Sequence, residues 1–309
     1  MFTVRQLLFF DALAREKHFR RAAESVNVTQ PALSAQIMDM EDKLGTDLVE
    51  RNRGGITLTP TGKLLLPKAR AILQQIEALE ELATSKADEL SGTLEIGMIP
   101  TVAPYLLPKL LPALRTAFPA LELKVREAKT ERLVQELTNG NLAAIIAAKP
   151  IEIRNAKSTD LFEDIFYMAA GRNSADVLSS PIAPDKLVMD RLLLLEDGHC
   201  LRDQALTVCE AAGPYQLVNL GATSMTTLLQ LVANGLGVTL IPSIAIDAET
   251  QKLDAIEIAP FTAPAPSRKI ALFYRGSSAR STNFEALAET IRAAAIPLLW
   301  RANAPLRDQ

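Results

Sequence analysis

The sequence predicts an all-α winged helix-turn-helix at the N-terminus, joined by a long linker helix to a C-terminal α/β domain. Three patterns lead to this fold class. Residues 1–59 contain three short amphipathic helices followed by two short strands. Residues 60–91 carry an apolar stripe at helical spacing, which is typical of one long amphipathic helix. Over residues 92–301, apolar strands alternate with helices, and this alternation predicts mostly parallel sheets.

The composition is that of an ordinary globular chain. Of the 309 residues, 48% are hydrophobic and 22% are charged. The net charge of −3 gives no sign of nucleic-acid binding, so any contact with DNA has to be local. Because the sequence lacks a signal-peptide pattern and any apolar run of about 18 residues, we expect a cytoplasmic protein that does not enter a membrane. In that reducing compartment a permanent structural disulfide is not expected.

The N-terminal helices are expected over residues 4–15, 20–25 and 30–44. Thr29 is a favourable N-cap residue for the third helix, and Pro31 suits its first turn. Gly45 is typical of the position just after a helix end. The apolar residues of this helix recur at helical spacing, so one of its faces packs on the other two helices.

The opposite face of the third helix begins with the short polar residues Gln30 and Ser34. Base edges and phosphates suit such a face, because the first-turn N–H groups also attract phosphate oxygens. Arg51 and Arg53 lie at the tip of the strand pair that follows, around a Gly54-Gly55 turn, like a wing that reaches the DNA backbone. A plain three-helix packing domain with ordinary surface charges remains the alternative at this point.

The order of the motifs decides between these two interpretations. The segments Thr29-Gln30-Pro31-Ala32-Leu33-Ser34, Leu44-Gly45, Leu48-Val49-Glu50-Arg51 and Leu58-Thr59-Pro60-Thr61-Gly62 resemble the DNA-binding domain of LysR-type transcriptional regulators. The resemblance implies a winged helix-turn-helix that binds double-stranded promoter DNA and recruits RNA polymerase. The predicted DNA-binding residues are Arg20, Arg21, Thr29, Gln30, Pro31, Ser34, Gln36, Arg51 and Arg53.

The linker helix is expected to start at Thr59-Pro60 and to run to about Ala87, with Pro67 able to bend it. Its continuous apolar stripe needs a partner. Docking onto the body of the same chain is one possibility. The family resemblance implies the other, a homodimer formed through this helix that assembles to a tetramer.

The resemblance also implies that the α/β domain has two lobes, built like periplasmic binding proteins, with a cleft between them. The bounds expected for the first lobe are 92–165 and 270–301, those for the second lobe are 166–269, and residues 302–309 form a tail. Thr101 and Thr130 each follow a predicted strand, and ligands of open α/β sheets gather at the carboxyl ends of strands. For Thr130, a plain helix N-cap is the alternative.

The segment EDGHCLRDQALTVCEAAG, residues 196–213, contains both cysteines of the chain, Cys200 and Cys209. A helix over 201–211 would leave Cys209 half-buried on the edge of its apolar face. Its start would favour a thiolate at Cys200, whereas the neighbouring acidic residues oppose it. Nine residues of helix turn about half a turn past two full turns, so the thiols point to opposite faces, and the helix and a disulfide exclude each other. The alternative is two unrelated cysteines.

The segment Leu195–Ala205, with the cysteine at 209, resembles the peroxide-sensing members of the LysR-type family. The resemblance implies that Cys200 is the peroxidatic cysteine and Cys209 the resolving one. It implies a regulator of antioxidant genes that hydrogen peroxide activates through a reversible disulfide, and that glutathione or glutaredoxin resets. The predicted peroxide pocket consists of Thr101, Thr130, His199, Arg202, Asp203 and Arg268.

Neither a metal nor a cofactor is expected, because two cysteines and His199 are too few ligands for a metal clip. One alternative function is a LysR-type regulator that senses a small organic acid in the cleft, with incidental cysteines. A thiol peroxidase and a periplasmic solute-binding protein are further alternatives. A DNA-binding domain is unexpected in both, so we predict a regulator associated with the nucleoid and not an enzyme.

Overall fold

A computed structural model describes the chain over residues 2–52, 55–84, 90–172, 181–183, 191–210, 216–251, 255–276 and 281–299. Its internal contacts divide the chain into two units, Met1–Ala87 and Asp88–Gln309. None of the helices in the described ranges combines the length and the apolar character that crossing a membrane requires.

Over its described residues, the first unit consists of four helices and a two-stranded antiparallel sheet. Its elements are α1 Val4–Glu16, α2 Phe19–Ser25, α3 Gln30–Leu44, β1 Val49–Asn52, β2 Gly55–Leu58 and α4 Pro60–Thr84. The buried residues Phe10, Leu13, Leu33 and Ile37 form the centre of its core. The helix α3 ends at Gly45, whose φ of 66° is the left-handed conformation that glycine adopts without strain. The predicted winged helix-turn-helix is confirmed.

The helix α4 divides the apolar stripe between two environments. Thr59 caps its start, since its Oγ1 accepts a hydrogen bond of 3.0 Å from the Gly62 N–H. Ala69 is buried in the core of the first unit. In contrast, Leu64 and Leu79 are 76% and 67% exposed. Part of the stripe therefore docks onto its own unit, and part of it stays uncovered within one chain; the predicted residues 85–87 of the helix lie outside the described ranges.

The second unit alternates strands and helices, as predicted. Its elements are β3 Gly92–Met98, α5 Ala103–Ala117, β4 Leu121–Glu127, α6 Thr130–Thr138, β5 Ala144–Ala148, β6 Ala156–Gly171, β7 Arg191–Leu195, α7 Cys200–Glu210, β8 Gln216–Ala222, α8 Met225–Ala233, β9 Thr239–Pro242, α9 Ser243–Thr250, β10 Ile256–Pro260, β11 Ser267–Arg275, α10 Ser281–Ala295 and a 3-10 helix Ile296–Leu298. The expected tail at 302–309 lies outside the described residues.

The sheets of this unit are mixed, so the prediction of mostly parallel sheets is wrong. Strands β3, β4 and β5 pair in parallel, and so do β7 and β8. However, β11 pairs antiparallel with both β5 and β6, and β6 pairs antiparallel with β9 and β10. The reason is the long strand β6, whose segment had no element assigned from the sequence, and which brings antiparallel partners to both of its edges.

The strand β6 also joins two lobes. Its first part pairs with β11, whereas its last part, from Phe166 to Gly171, pairs with β9 and β10. The first lobe is thus built on β3, β4, β5 and β11, and the second lobe on β9 and β10 with the pair β7 and β8 nearby. Strands β4 and β7 end on opposite lobes, and the segments that follow them contact each other.

Candidate functional site

The helix α7 begins at Cys200 and buries one face against the second lobe. Leu201, Ala205 and Cys209 recur at i, i+4 and i+8, and they are only 3%, 1% and 0% exposed. Cys209 therefore lies on the core face of the helix, not half-buried on its edge as predicted. The edge position is taken by Val208, which is half-buried.

The two thiols lie in different environments and are both free. Burial raises the pKa of Cys209 to about 12, so this thiol stays protonated near neutral pH. Cys200 is half-buried at the start of the helix. Nine residues of intact helix rise about 13–14 Å, whereas a disulfide needs Cα atoms about 4.4–6.8 Å apart. The intact α7 therefore keeps the two cysteines from bonding.

A small cavity lies beside Cys200 between the two lobes. Its lining comes from three chain segments, and the residues are Ile99, Pro100, Thr101, Lys129, Thr130, Gly198, His199 and Cys200. The empty space among these residues, part of it open to solvent, totals about 160 Å³, and at no point is it wide enough for a water-sized molecule unless the walls move apart. Only a very small ligand fits next to this thiol, and its access requires a displacement of the walls.

Thr130, which lines this cavity, has an unpaired hydroxyl. Its Oγ1 is buried and has no hydrogen-bond partner among the described residues. The N-cap position of α6 is occupied by Lys129, and Thr130 is the first helical residue. The interpretation of Thr130 as a plain N-cap is therefore wrong. A buried hydroxyl without a partner lowers the free energy of unfolding. Such a group is typical of a site where a ligand supplies the missing hydrogen bond.

His199 supplies a second unpaired polar atom. It is only 4% exposed, and its Nδ1 has no hydrogen-bond partner in the part of the chain that the structure describes. Burial lowers the pKa of His199, the Lys129 ammonium lowers it further, and the Glu196 carboxylate opposes both in part. The imidazole is therefore neutral near pH 7, with one nitrogen as donor and the other as acceptor.

Thr101 is held from behind by a buried ion pair. Arg268 donates from Nη1 to Thr101 Oγ1 at 2.8 Å and from Nη2 to the Thr101 carbonyl oxygen at 3.1 Å. The same guanidinium pairs with Asp164 at 2.8 Å, and both charged side chains are fully buried. Because a guanidinium only donates, the Thr101 hydroxyl accepts in this bond and keeps its own proton available for donation.

The predicted pocket residues therefore divide into two groups. Thr101, Thr130 and His199 line the cavity with Cys200. Arg268 bonds to Thr101 and Asp164 but is not among the residues that line the cavity. The other two predicted members also lie outside the lining, since Arg202 bonds to the Leu195 carbonyl and to Asp197, and Asp203 is exposed.

Lys129 and Gly198 line the cavity and were not among the predicted site residues. Lys129 occurs in the motif Glu127-Ala128-Lys129-Thr130, and its place at the end of β4 was the available signal. Gly198 has a φ of +87°, and a Cβ added there would lie 3.1 Å from Lys129 Cδ. Neither the contact nor the conformation follows from local sequence. Among the described residues, no group of three or more His, Cys, Asp or Glu side chains has a metal-binding arrangement.

Those of the predicted DNA-binding residues that the structure describes lie on α2, on α3 and its N-cap, and on β1. Arg51 on β1 donates to Ser34 Oγ on α3 at 3.2 Å, and its guanidinium lies 4.8 Å from the centre of the Phe19 ring. These contacts hold the wing arginine beside the start of α3. The exposed members are Arg20, Arg21, Thr29, Gln30, Pro31 and Arg51, the half-buried ones are Ser34 and Gln36, and Arg53 lies outside the described residues.

Two of these residues are less simply placed than predicted. The Thr29 side chain makes no capping hydrogen bond, although the residue occupies the N-cap position of α3. Arg20 pairs with Glu24 at 2.9 Å on the exposed face of α2. An unused cap hydroxyl and an exposed arginine are both available for phosphate contacts.

A winged helix-turn-helix with a polar recognition surface, and a separate two-lobed domain with a cysteine beside a cleft cavity, define a class of DNA-binding regulators. Comparisons with known proteins agree with this class. Residues 4–63 match the bacterial regulatory helix-turn-helix protein, lysR family, and residues 87–296 match the LysR substrate binding domain.

Curated relatives and solved structures narrow the class. The chain is 41% identical over 290 residues to the DNA-binding transcriptional dual regulator OxyR of Escherichia coli strain K12, covering 94% of this chain and 95% of that protein. It is 40% identical over 289 residues to the hydrogen peroxide-inducible genes activator of Pectobacterium carotovorum, with 94% and 95% covered. A full-length OxyR variant from Pseudomonas aeruginosa matches with a TM-score of 0.83 at 35% identity, over 96% of this chain and 97% of that chain.

A second solved structure, an OxyR mutant from Corynebacterium glutamicum with hydrogen peroxide bound, matches with a TM-score of 0.66 at 33% identity, over 96% of this chain and 95% of that chain. The chain therefore belongs to the LysR family of bacterial transcriptional regulators and, within it, to the group of hydrogen peroxide-inducible genes activators. The family predicted from the motifs is confirmed.

Proposed function

We propose that this chain is a transcriptional regulator that hydrogen peroxide switches on through Cys200. The observation that carries the proposal is the narrow cavity, which the half-buried Cys200 lines together with Thr130 and His199, two residues that each have a buried polar atom without a partner among the described residues. Hydrogen peroxide is small, and each of its oxygens can both donate and accept. Relatives named as hydrogen peroxide-inducible genes activators, and a relative's structure with peroxide bound, support the same function.

The chemical step is a displacement at oxygen. The Cys200 thiolate attacks one peroxide oxygen, an S–O bond forms, the O–O bond breaks, and hydroxide leaves with the electron pair. The Thr101 hydroxyl donates to the peroxide, because its acceptor side is already occupied by Arg268. The Thr130 hydroxyl and the neutral His199 ring bind the peroxide oxygen that the thiolate does not attack, and they stabilise the hydroxide as it leaves.

Cys209 then completes the switch. Its sulfur attacks the sulfur of the Cys200 sulfenic acid, an S–S bond forms, the S–OH bond breaks, and the hydroxide leaves with the Cys209 proton as one water molecule. The helix α7 has to unwind for this step, since its intact geometry keeps the cysteines about 13–14 Å apart along the axis. Unwinding removes Leu201, Ala205 and Cys209 from the core of the second lobe. Oxidation thus selects a different packing of that lobe.

The remaining parts of the proposal concern the partners. The regulator binds double-stranded promoter DNA through the surface that contains Gln30, Ser34 and Arg51, as a homodimer that assembles to a tetramer. The uncovered side of α4, with Leu64 and Leu79 exposed, supports contact with a second copy. RNA polymerase is the downstream partner, glutathione or glutaredoxin is the reductant, and the site of action is the nucleoid in the cytoplasm.

Footprinting on the adjacent intergenic DNA tests the function with the full-length protein. We expect reduced and peroxide-treated wild type to give different footprints, and Cys200→Ser to give the reduced footprint under both conditions. Cys209→Ser should form a sulfenic acid without the intramolecular disulfide, as seen by mass spectrometry after non-reducing digestion.

Identical footprints before and after peroxide, or a peroxide response that survives in Cys200→Ser, would overturn the proposal. The latter result would favour a regulator that senses an organic ligand in the cleft. Catalytic consumption of peroxide at rates typical of enzymes would instead identify a thiol peroxidase.

A further inference from the structure

Lys129 connects the two lobes directly over the cavity. It follows β4 of the first lobe, and its Nζ lies 2.6 Å from Glu196 Oε1, which follows β7 of the second lobe. The same ammonium donates to the Asp197 carbonyl oxygen at 2.8 Å. These two contacts hold the segment that leads to Cys200 against the end of β4. We call this group of Lys129, Glu196 and the Asp197 carbonyl the clasp.

The aliphatic part of the Lys129 side chain also forms part of the cavity wall, while its ammonium reaches the other lobe. Lys129 is one of the lining residues, and its Cδ would lie 3.1 Å from a Cβ placed on Gly198. The backbone of the second lobe therefore passes directly under the lysine. The Lys129 and Glu196 side chains are 39% and 37% exposed, whereas Thr101 and His199 deeper in the cavity are almost fully buried. The clasp lies between the cavity and the solvent.

The cavity cannot accept a ligand while the clasp and the walls stay as they are, because it has no room for a water-sized molecule. Its walls come from both lobes, so the entering molecule has to move the first lobe's Thr101 and Thr130 away from the second lobe's Cys200. Such a movement stretches the contacts of Lys129. An exposed ion pair is weak enough to open often, and the opening needed grows with the size of the ligand.

We propose that the clasp is the size filter of the peroxide site: it admits hydrogen peroxide on small openings and excludes organic hydroperoxides that need it fully broken. The inference rests on the proposed function, because it assigns Lys129 and Glu196 as specificity-determining residues of the same site. It makes no use of the residues that contact peroxide directly.

The measurement has to separate access from thiol reactivity. The Lys129 ammonium acts on the His199 ring, so its removal also changes the electrostatics of the site and with it the reactivity of the thiol. The ratio of two rate constants for one thiol, with a bulky and a small oxidant, cancels that effect because the same thiolate attacks both. The clasp is therefore tested by the selectivity ratio, not by either rate alone.

The experiment uses full-length reduced protein and follows the loss of the Cys200 thiol by quenched alkylation and mass spectrometry. Each protein reacts separately with hydrogen peroxide and with cumene hydroperoxide. We expect Lys129→Ala and Glu196→Gln to raise the cumene-to-hydrogen peroxide ratio about twofold to fivefold, the size expected of one exposed ion pair. Lys129→Arg keeps the charge and should stay close to wild type.

The matched control is Lys149→Ala, which removes the partly exposed ion pair with Asp160 within the first lobe; neither residue lines the cavity, and the Lys149 carbonyl that accepts from Gln204 on α7 is kept. Its ratio should equal that of wild type. Thermal melts identify any variant that fails to fold, and Glu196→Gln, which leaves the lysine in place, then carries the test. The proposed role of the clasp is overturned if the cumene-to-hydrogen peroxide ratio stays at the wild-type value in both clasp variants. It is also overturned if the ratio rises equally in Lys149→Ala. Wild-type Cys200 that does not react with hydrogen peroxide overturns the proposed function, and the clasp with it.

Discussion

Replacing Thr130 by valine should stabilise the protein and slow its reaction with peroxide. Valine has nearly the shape of threonine, and it removes a hydroxyl that is buried without a partner among the described residues. Such a group costs about 1–3 kcal/mol, because it loses its water without gaining a hydrogen bond. The narrow cavity leaves no space for a water molecule to satisfy it. We therefore expect Thr130→Val to raise the free energy of unfolding by about 1 kcal/mol or more.

For a unit of this size, 1 kcal/mol corresponds to an increase in Tm of about 2–4 °C. The same variant loses a donor to the leaving hydroxide. A hydrogen bond to a charged group contributes about 1.5–3 kcal/mol, so oxidation of Cys200 should slow by about tenfold to a hundredfold. Thermal melts of the reduced protein and the rate of Cys200 thiol loss measure the two effects.

Thr239→Val is the matched control, because that threonine is also buried but donates to the Leu193 carbonyl at 2.7 Å. Removing a satisfied hydroxyl should lower the free energy of unfolding by about 1 kcal/mol. Opposite signs for the two threonine-to-valine changes support the reasoning. If Thr130→Val destabilises the protein as much as Thr239→Val does, Thr130 already has a partner, and the account of an unpaired hydroxyl is refuted.

Four further predictions follow from the described contacts. Peroxide treatment should abolish hydrogen-exchange protection along α7, and protection that persists after disulfide formation would contradict the proposed unwinding. Asp164→Ala should lower the free energy of unfolding in urea by about 3–5 kcal/mol, because it leaves the buried Arg268 unpaired; a loss below about 1 kcal/mol would refute the pair. Arg51→Ala should reduce the salt dependence of DNA binding by about one unit of slope in fluorescence anisotropy, and an unchanged slope would remove Arg51 from the phosphate contacts. Because burial lowers the pKa of His199, the unfolded chain takes up that proton first, so stability should fall as pH decreases below about 6.5; His199→Asn should lack this component in urea melts at paired pH values.

Much of the fold could be predicted because its signals are local. The period of the apolar residues predicts α3, the glycine at 45 predicts its end, and the observed bounds Gln30–Leu44 agree. The start predicted for the linker helix at Thr59-Pro60 also agrees with the observed α4, which begins at Pro60. The strand β6 was missed, because its pairing with strands on both edges is decided by distant segments and leaves no regular pattern in its own residues.

The candidate site was only partly predictable, because it too depends on segments that are far apart in the chain. The cysteine segment and the strand ends indicated Cys200, His199, Thr101 and Thr130, and these residues line the cavity. The segment also suggested Arg202 and Asp203, but the turn at the start of α7 directs them elsewhere. Sequence neighbours of a reactive group share its loop, whereas the cavity is built by whichever side chains the two lobes bring together.

The kind of protein follows from the sequence alone, because helix periodicity, caps and motif order are set within a few residues along the chain. The sequence also shows that Cys200 and Cys209 cannot bond within an intact helix. Three features could be seen only once the chain was folded: the Thr130 hydroxyl lacks a partner among the described residues, Cys209 is fully buried, and Lys129 reaches Glu196 across the cleft. These features depend on distances between segments far apart in the chain, which the packing of the two lobes fixes.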